Sequence, residues 1–523
     1  VRAVKALSTT SALFALALLA AAACAPSATS LPPLGEALIV VDTDLPVPAL
    51  ASRLRVDAFA EDGHWYASRD FGLPSPQDWP ASFSVVSPDP SHGRLAILRL
   101  RAYADGKTRD YRGERTFARP SGDSDPTAVA AFPDPPPDQG PRLLQPDGTD
   151  ITPPTEPQPT LAVDRLLRVR TTAGVLGSVR VTLRGACAGT MADLGNLATC
   201  VDTEATLVPV TEEVLDPDMS LPTATKAGTF SPEVPCTATP RAAHAAADGT
   251  PLYDEEVCVP GGAFIFGSAP VQFPERVAIV DPFLIDKYEV TVGRWRAALA
   301  AGLNATTAVT NDGPIPTQVT SPYDQFANPF CTFSSKPIGR ETFPVECVGW
   351  TAARAFCQFL GGDLPTELQW DWVAAAAGRP SKTGYPWGGP DDVDPTCNRA
   401  VTGRGWLNVN FKGDCVGSGW GPLGVEWADR PDGDVSVMYG VSGLGGNVNE
   451  WAKDAYEDLD TNCWMSQPLH NPECTMPNPA AHTVRGGSWD QPSVDSYCEN
   501  RLSTGSNQFA TTVGFRCARP GGS

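Results

Sequence analysis

The 523-residue sequence predicts a multidomain protein: an all-β, sandwich-like N-terminal region followed by an α+β half in which short strands mix with three helices. Three observations predict this. Apolar residues alternate in short runs between Glu36 and Thr211, the period of strands. Helical spacing appears only beyond Thr291. The 52 prolines and 48 glycines divide the chain into turns and exclude heptads or long helices. With 42% apolar and 19% charged residues, the chain is long enough for two or three cored domains.

Residues 1–23 read as a signal peptide. Arg2 and Lys5 precede an unbroken apolar run from Ala12 to Ala23, which is too short to span a bilayer. The exit Leu19-Ala-Ala-Ala-Ala-Cys24 resembles a bacterial lipoprotein box, so Cys24 is the expected site of acylation and residues 24–35 the tether. The expected address is the outer membrane of a Gram-negative bacterium, with membrane contact only through the lipid anchor.

The strands of region 36–211 are Ala37–Val41, Leu54–Phe59, Phe83–Val86, Leu95–Tyr103, Leu166–Arg170 and Val179–Leu183, an arrangement that suits an antiparallel sandwich. Within it, residues 133–160 hold ten prolines and are expected to form an extended connector. Residues 212–252, rich in Pro, Thr, Ala and Asp, read as a linker. Thirteen cysteines follow Cys24, a number that fits an oxidising compartment. Their spacing suggests local pairs: Cys187 with Cys200, Cys236 with Cys258, Cys331 with Cys347, Cys397 with Cys415 and Cys463 with Cys474. No Cys-x-x-Cys occurs and the five histidines are scattered, so structural zinc is not expected. The net charge of -21 argues against nucleic acid as a partner.

In residues 253–519, Val259–Ser268 and Phe283–Thr291 read as strands. Thr291 caps a helix carrying Trp295 and Leu299 that stops at Gly302. Trp350, Ala353, Phe356, Cys357 and Leu360 mark a second helix ending at Gly361-Gly362. Thr366 and Gln369 form a capping box for a third, with Trp370, Val373 and Ala377 on its buried stripe.

Several motifs run through this half in order: Glu289-Val-Thr291, Pro344-Val-Glu-Cys-Val-Gly-Trp350, Leu364-Pro-Thr-Glu367, Tyr385-Pro-Trp-Gly388, Gly446-Asn-Val-Asn-Glu-Trp451, Arg485-Gly-Gly-Ser-Trp489 and Gly514-Phe-Arg-Cys517. In this respect residues 253–519 resemble the formylglycine-generating enzymes, or sulfatase-modifying factors. The resemblance implies a loop-rich α+β fold related to C-type lectins and a structural disulfide between Cys357 and Cys517.

Catalytic members of that family oxidise a cysteine of a sulfatase peptide to formylglycine. They use oxygen and copper(I) held by two thiolates in the loop after Gly-Gly-Ser, and soft thiolates are what copper(I) requires. Counted forward from Trp489, the two ligand positions are Gln491 and Ser496; counted back from Arg501, they are Ser488 and Ser493. Neither register holds a cysteine, so copper is not expected. Cys498 is the one thiol nearby. It is either unpaired or bonded to Cys347, since its usual partner position, near Ala374, is not cysteine. The family's Trp before Glu-Trp is Asn449, and its Arg before Leu-Pro-Thr-Glu is Asp363.

Calcium is the metal the resemblance implies, through Gly446, Val448 and Glu450, with a second site at Asn398 and the Arg399 carbonyl, joined by Asp414. Gly443 replaces an acidic or amide ligand of the first site. The alternative is that Asn447, Asn449 and Glu450 simply satisfy a tight turn. The function expected from the sequence is a binding module, a pseudoenzyme whose partner is a peptide, a glycan or an envelope protein. An oxygen-dependent oxidase with a rearranged site and a structural envelope partner are the alternatives.

Overall fold

A computed structural model describes residues 35–104 and 162–522, except 62, 64, 88–92, 203–205, 269–271, 306–307, 317–327, 389–395, 406–414, 416–420, 426–432 and 507. The signal peptide, Cys24, the proline-rich segment 133–160 and Asp414 lie outside the described residues.

Two sheets share the N-terminal core. In the first, β1 (Glu36–Thr43) lies between β4 (Ala81–Val86) and β7 (Leu176–Leu183). The second runs β3 (Trp65–Gly72), β2 (Arg53–Ala60), β5 (Arg94–Tyr103), β6 (Ala162–Thr171). Alternation places Ile39, Val41, Val179 and Val181 of the first sheet against Leu54, Val56, Leu98, Leu100 and Leu167 of the second in one buried cluster.

The expected antiparallel sandwich needs correction, because β1 pairs with β7 in parallel, Glu36 opposite Leu176 through Thr43 opposite Leu183. Side-chain alternation fixes the face a strand buries, not its direction. No hairpin joins β1 to β7, so either direction was open to them. The strand β3 was not foreseen, since its sequence lacks two-residue alternation. The second sheet's other face is also buried, where Arg101 pairs with Asp164 at 2.5 and 2.6 Å and both are shielded from solvent. A short hairpin of β8 (Ala198–Cys200) and β9 (Leu207–Pro209) ends this half, with Cys187 bonded to Cys200.

Residues 212–252 contain no helix, and their strand pairing is limited to isolated bridges. They do not run free, however. Phe230 N donates to Asp44 O at 2.8 Å, Thr237 N to Gly521 O at 2.8 Å, and Arg241 Nη2 to Asp286 Oδ1 at 2.6 Å. With Cys236 bonded to Cys258, this segment straps the two halves together. Lack of periodicity reveals missing secondary structure but says nothing about whether backbone groups find distant partners.

Among the described residues, the C-terminal half has three sheets. One has β13 (Phe283–Asp286) between β10 (Glu256–Val259) and β18 (Ala518–Pro520); another is the hairpin of β11 (Gly262–Ser268) and β12 (Gln272–Val280). The third runs β16 (Arg501–Gly505), β15 (Ala481–Arg485), β14 (Asn449–Ala455), β17 (Val513–Gly514).

Helix α1 (Val292–Ala300) starts where the Thr291 side chain accepts from Arg294 N at 3.2 Å. Helix α2 (Trp350–Phe359) buries Ala353, Phe356 and Cys357, and Cys357 is bonded to Cys517 beside β18. Helix α3 (Glu367–Asp371) has the Thr366–Gln369 capping box and passes into a π turn at Trp372–Ala376. A single turn, α4 (Asn462–Met465), lies near the Cys463–Cys474 disulfide. Trp295, Phe356, Trp451 and Phe515 anchor one core cluster, Trp370 and Trp464 another. Ala263 and Ile265 of β11 and Val277 of β12 belong to the N-terminal cluster, so the two halves share apolar packing.

Candidate binding groove

Two glycine turns create the groove. A Cβ on Gly486 (φ +78°) would lie 2.5 Å from the Leu444 carbonyl oxygen, and one on Gly487 2.5 Å from that of Gly445. The Arg485–Trp489 and Gly446–Trp451 motifs therefore pack backbone on backbone, which only glycine permits. Asn447 accepts φ 71° at the second turn, and Trp489 N donates to its carbonyl at 2.9 Å. This close approach brings the end of β14 beside the loop that follows β15. Together with β16 and the segment before β17, they line an open groove of about 800 Å³ whose walls include Asn449, Tyr456, Gln491, Thr504, Phe509 and Thr512.

On its floor, Gln491 Oε1 accepts from Ser488 Oγ at 3.1 Å and from Asn449 Nδ2 at 3.0 Å, while Asn449 Nδ2 also donates to Gly486 O. Among the described lining residues, Arg501 is the one that is charged. It is bound to Glu367 through both carboxylate oxygens, with Nη2 to Oε2 at 2.9 Å. Burial alone would raise the Glu367 carboxyl; Arg501 and Arg485 outweigh it and hold the group below its usual value. Arg485, fully buried, reaches Glu367 at 3.1 Å and Asp371 at 3.3 Å. The groove thus mixes polar and apolar groups, and its one charged lining residue among those described is ion-paired.

The four candidate thiolate positions divide. Gln491 and Ser488 belong to the floor network. Ser493 opens a 3-10 turn, Ser493–Ser496. Ser496 is fully buried, and its Oγ has no hydrogen-bond partner among the described residues. Cys498 is not in the groove wall. It is fully buried, its Sγ is 3.5 Å from Ala374 O, and burial pushes the thiol well above its ordinary pKa. Cys347 is bonded to Cys331, which removes the Cys498–Cys347 alternative and leaves Cys498 unpaired. The donors around the groove are hydroxyl and carboxamide groups, a set that does not fit copper(I).

At the implied calcium turn, the Glu450 carboxylate is engaged. Arg516 holds it through Nε–Oε2 at 2.7 Å and Nη2–Oε1 at 2.5 Å, and Trp370 Nε1 donates to Oε2 at 2.9 Å. The place in front of Gly443 is filled by Glu289, whose Oε1 would lie 2.9 Å from a Cβ there. Burial, then the neighbouring Glu450, push the Glu289 carboxyl well up. A calcium ion bound by Glu450 would have to displace a guanidinium, so these residues fit calcium poorly. Asn398 is exposed in a turn beside the Cys397–Cys415 disulfide, with Arg399 over the Trp387 ring at 5.7 Å. Among the described residues no three His, Cys, Asp or Glu side chains gather as metal ligands.

Sequence reasoning missed the Asn449–Gln491 partnership. The available signal was that Asn449 and Gln491, 42 residues apart and both singled out by the resemblance, Gln491 in one of its two registers, both carry carboxamides.

Fold and groove together define a sulfatase-modifying-factor-type domain whose loop after Gly-Gly-Ser carries one thiol, the buried Cys498, away from the groove wall. Residues 242–520 match the family described as the sulfatase-modifying factor enzyme 1-like domain, and the chain belongs to that family. It is 28% identical over 306 residues to a formylglycine-generating enzyme of Thermomonospora curvata, covering 50% of this chain and 92% of the relative. It is also 28% identical over 297 residues to the inactive C-alpha-formylglycine-generating enzyme 2 of Mus musculus, covering 51% and 86%. A structure of PvdO from Pseudomonas aeruginosa aligns over 54% of this chain and 100% of its own at 18% identity, with a TM-score of 0.36.

Proposed function

We propose that the protein is a lipid-anchored envelope component whose family domain acts as a binding module rather than as a formylglycine-generating oxidase. One observation carries the reading. Where the loop of a catalytic member presents two thiolates, this chain presents Gln491 and Ser496 in one register or Ser488 and Ser493 in the other, with Ser488 hydrogen-bonded to Gln491 and the nearest thiol, Cys498, sealed in the core. Copper(I) bound to such hard donors would be weak, and without it the domain has no means of activating oxygen. What is left is a groove large enough for a small ligand and free of net charge. A relative named as inactive at comparable identity supports the reading. Acylation at Cys24 would hold the module to the outer membrane, with the β region between bilayer and groove.

The test is to incubate the protein in air with copper and a cysteine-containing sulfatase peptide and to look for aldehyde by mass spectrometry. The reading predicts unchanged peptide. Copper-dependent aldehyde formation would overturn it.

A further inference from the structure

The floor of the groove has a fixed hydrogen-bonding polarity. The Gly486 carbonyl accepts only, so the Asn449 atom facing it is Nδ2. That nitrogen also meets Gln491, so the Gln491 atom there is Oε1, an assignment Ser488 Oγ completes by donating to it. A single backbone carbonyl thereby orients both side-chain amides. Each amide is planar and its other atom points away from the relay. Asn449 Oδ1 and Gln491 Nε2 make no hydrogen bond among the described residues, and both residues line the groove. The floor thus offers an acceptor and a two-proton donor on adjacent residues, held by their inner hydrogen bonds.

We infer that this amide pair reads a neutral saccharide. The inference rests on the binding-module reading and names its ligand class. Adjacent sugar hydroxyls each donate and accept, so one can donate to Asn449 Oδ1 while its neighbour accepts from Gln491 Nε2. Thr504 and Gln508 extend the uncharged polar wall. Phe509, half-buried and without a ring neighbour among the described residues, supplies an apolar surface for the face of a sugar ring. Acidic sugars are disfavoured, because Arg501, the one cation among the described lining residues, is bound by Glu367. An extended peptide is the poorer match. It is read through a row of backbone groups along a strand, whereas here donor and acceptor sit side by side at one point.

Titration calorimetry on the full chain tests the inference, using neutral tetrasaccharides of glucose, N-acetylglucosamine and mannose and an uncharged pentapeptide, at low and high salt. Gln491→Glu keeps the acceptor that Asn449 and Ser488 use but replaces the outward donor. Phe509→Ala removes the ring without touching the floor, and so serves if the first variant fails to fold. The expected result is saturable binding of a saccharide, insensitive to salt, and weakened about tenfold or more in either folded variant. The inference is overturned if no saccharide binds saturably, or if one binds the variants as well as the unaltered protein. Binding of the pentapeptide alone overturns the saccharide class and leaves the binding module standing, whereas copper-dependent aldehyde formation overturns the module itself.

Discussion

Glu450→Gln is the most informative single substitution, because it separates an acid kept to balance an arginine from one kept to bind calcium. Arg516 is fully buried, and among the described residues Glu450 supplies its only counter-charge at hydrogen-bond distance; its other partners are the carbonyl oxygens of Asp286, Lys287 and Ser442. In the variant, the new NH2 faces Arg516 Nη2 in one orientation and both Arg516 Nε and the Trp370 indole N–H in the other, so at least one donor loses its acceptor. Breaking a buried ion pair from one side costs about 3–5 kcal/mol, about a fifth or more of the stability of an ordinary domain. The assay is urea unfolding followed by tryptophan fluorescence, with the shift in midpoint converted through the slope m. Replacing both partners, Glu450→Gln with Arg516→Met, is expected to recover part of the loss, because no buried charge is then left unpaired. A cost below about 1 kcal/mol would refute the argument. So would a calcium chelator that destabilised the unaltered protein to the same degree, since the acid would then be held by a cation rather than by Arg516.

Other outcomes follow from the same geometry. Asp454, fully buried, has its carboxyl raised to about 8 by burial and then by Glu367, so the folded protein keeps a proton that the unfolded chain loses near pH 4. Its contribution to stability is complete below that pH and is lost as pH rises towards 8, at up to about 1.4 kcal/mol per unit. Asp454→Asn should flatten this slope in denaturation curves taken across that range, and an unchanged slope would refute the assignment. Cys357→Ser with Cys517→Ser opens a 160-residue link and should cost about 5 kcal/mol by chain entropy, against about 3 for the 11-residue Cys463–Cys474 link. Equal thermal shifts for the two pairs would contradict that ordering. Cys498 should resist a thiol reagent in the folded protein and react once the chain is unfolded in denaturant; rapid labelling of the native state would place it at the surface instead.

Local patterns in the sequence reveal local structure. The caps at Thr291 and Thr366 and the short cysteine spacings were legible because each contact lies within a turn or a small loop. The parallel pairing of β1 with β7 was not, since alternation is blind to direction. The strap formed by residues 212–252 was not either, because its anchors at Asp44, Asp286 and Gly521 are remote in sequence. In the groove, the loss of both thiolate positions could be counted directly. The relay from Gly486 through Asn449 to Gln491 could not, because it depends on two glycine turns meeting backbone to backbone. Glu450 illustrates the same limit. Its motif suggested a metal ligand, whereas the arginine that occupies it, Arg516, comes from a different strand connection.

The most direct test of the central claim is a copper(I) titration of the folded, disulfide-intact protein against a competing chelator, paired with the same titration of Cys498→Ser. A loop of hydroxyls and a carboxamide should leave copper with the chelator in both proteins. Stoichiometric tight copper in the unaltered protein, abolished in Cys498→Ser, would contradict the account by bringing the buried thiol into a working metal centre.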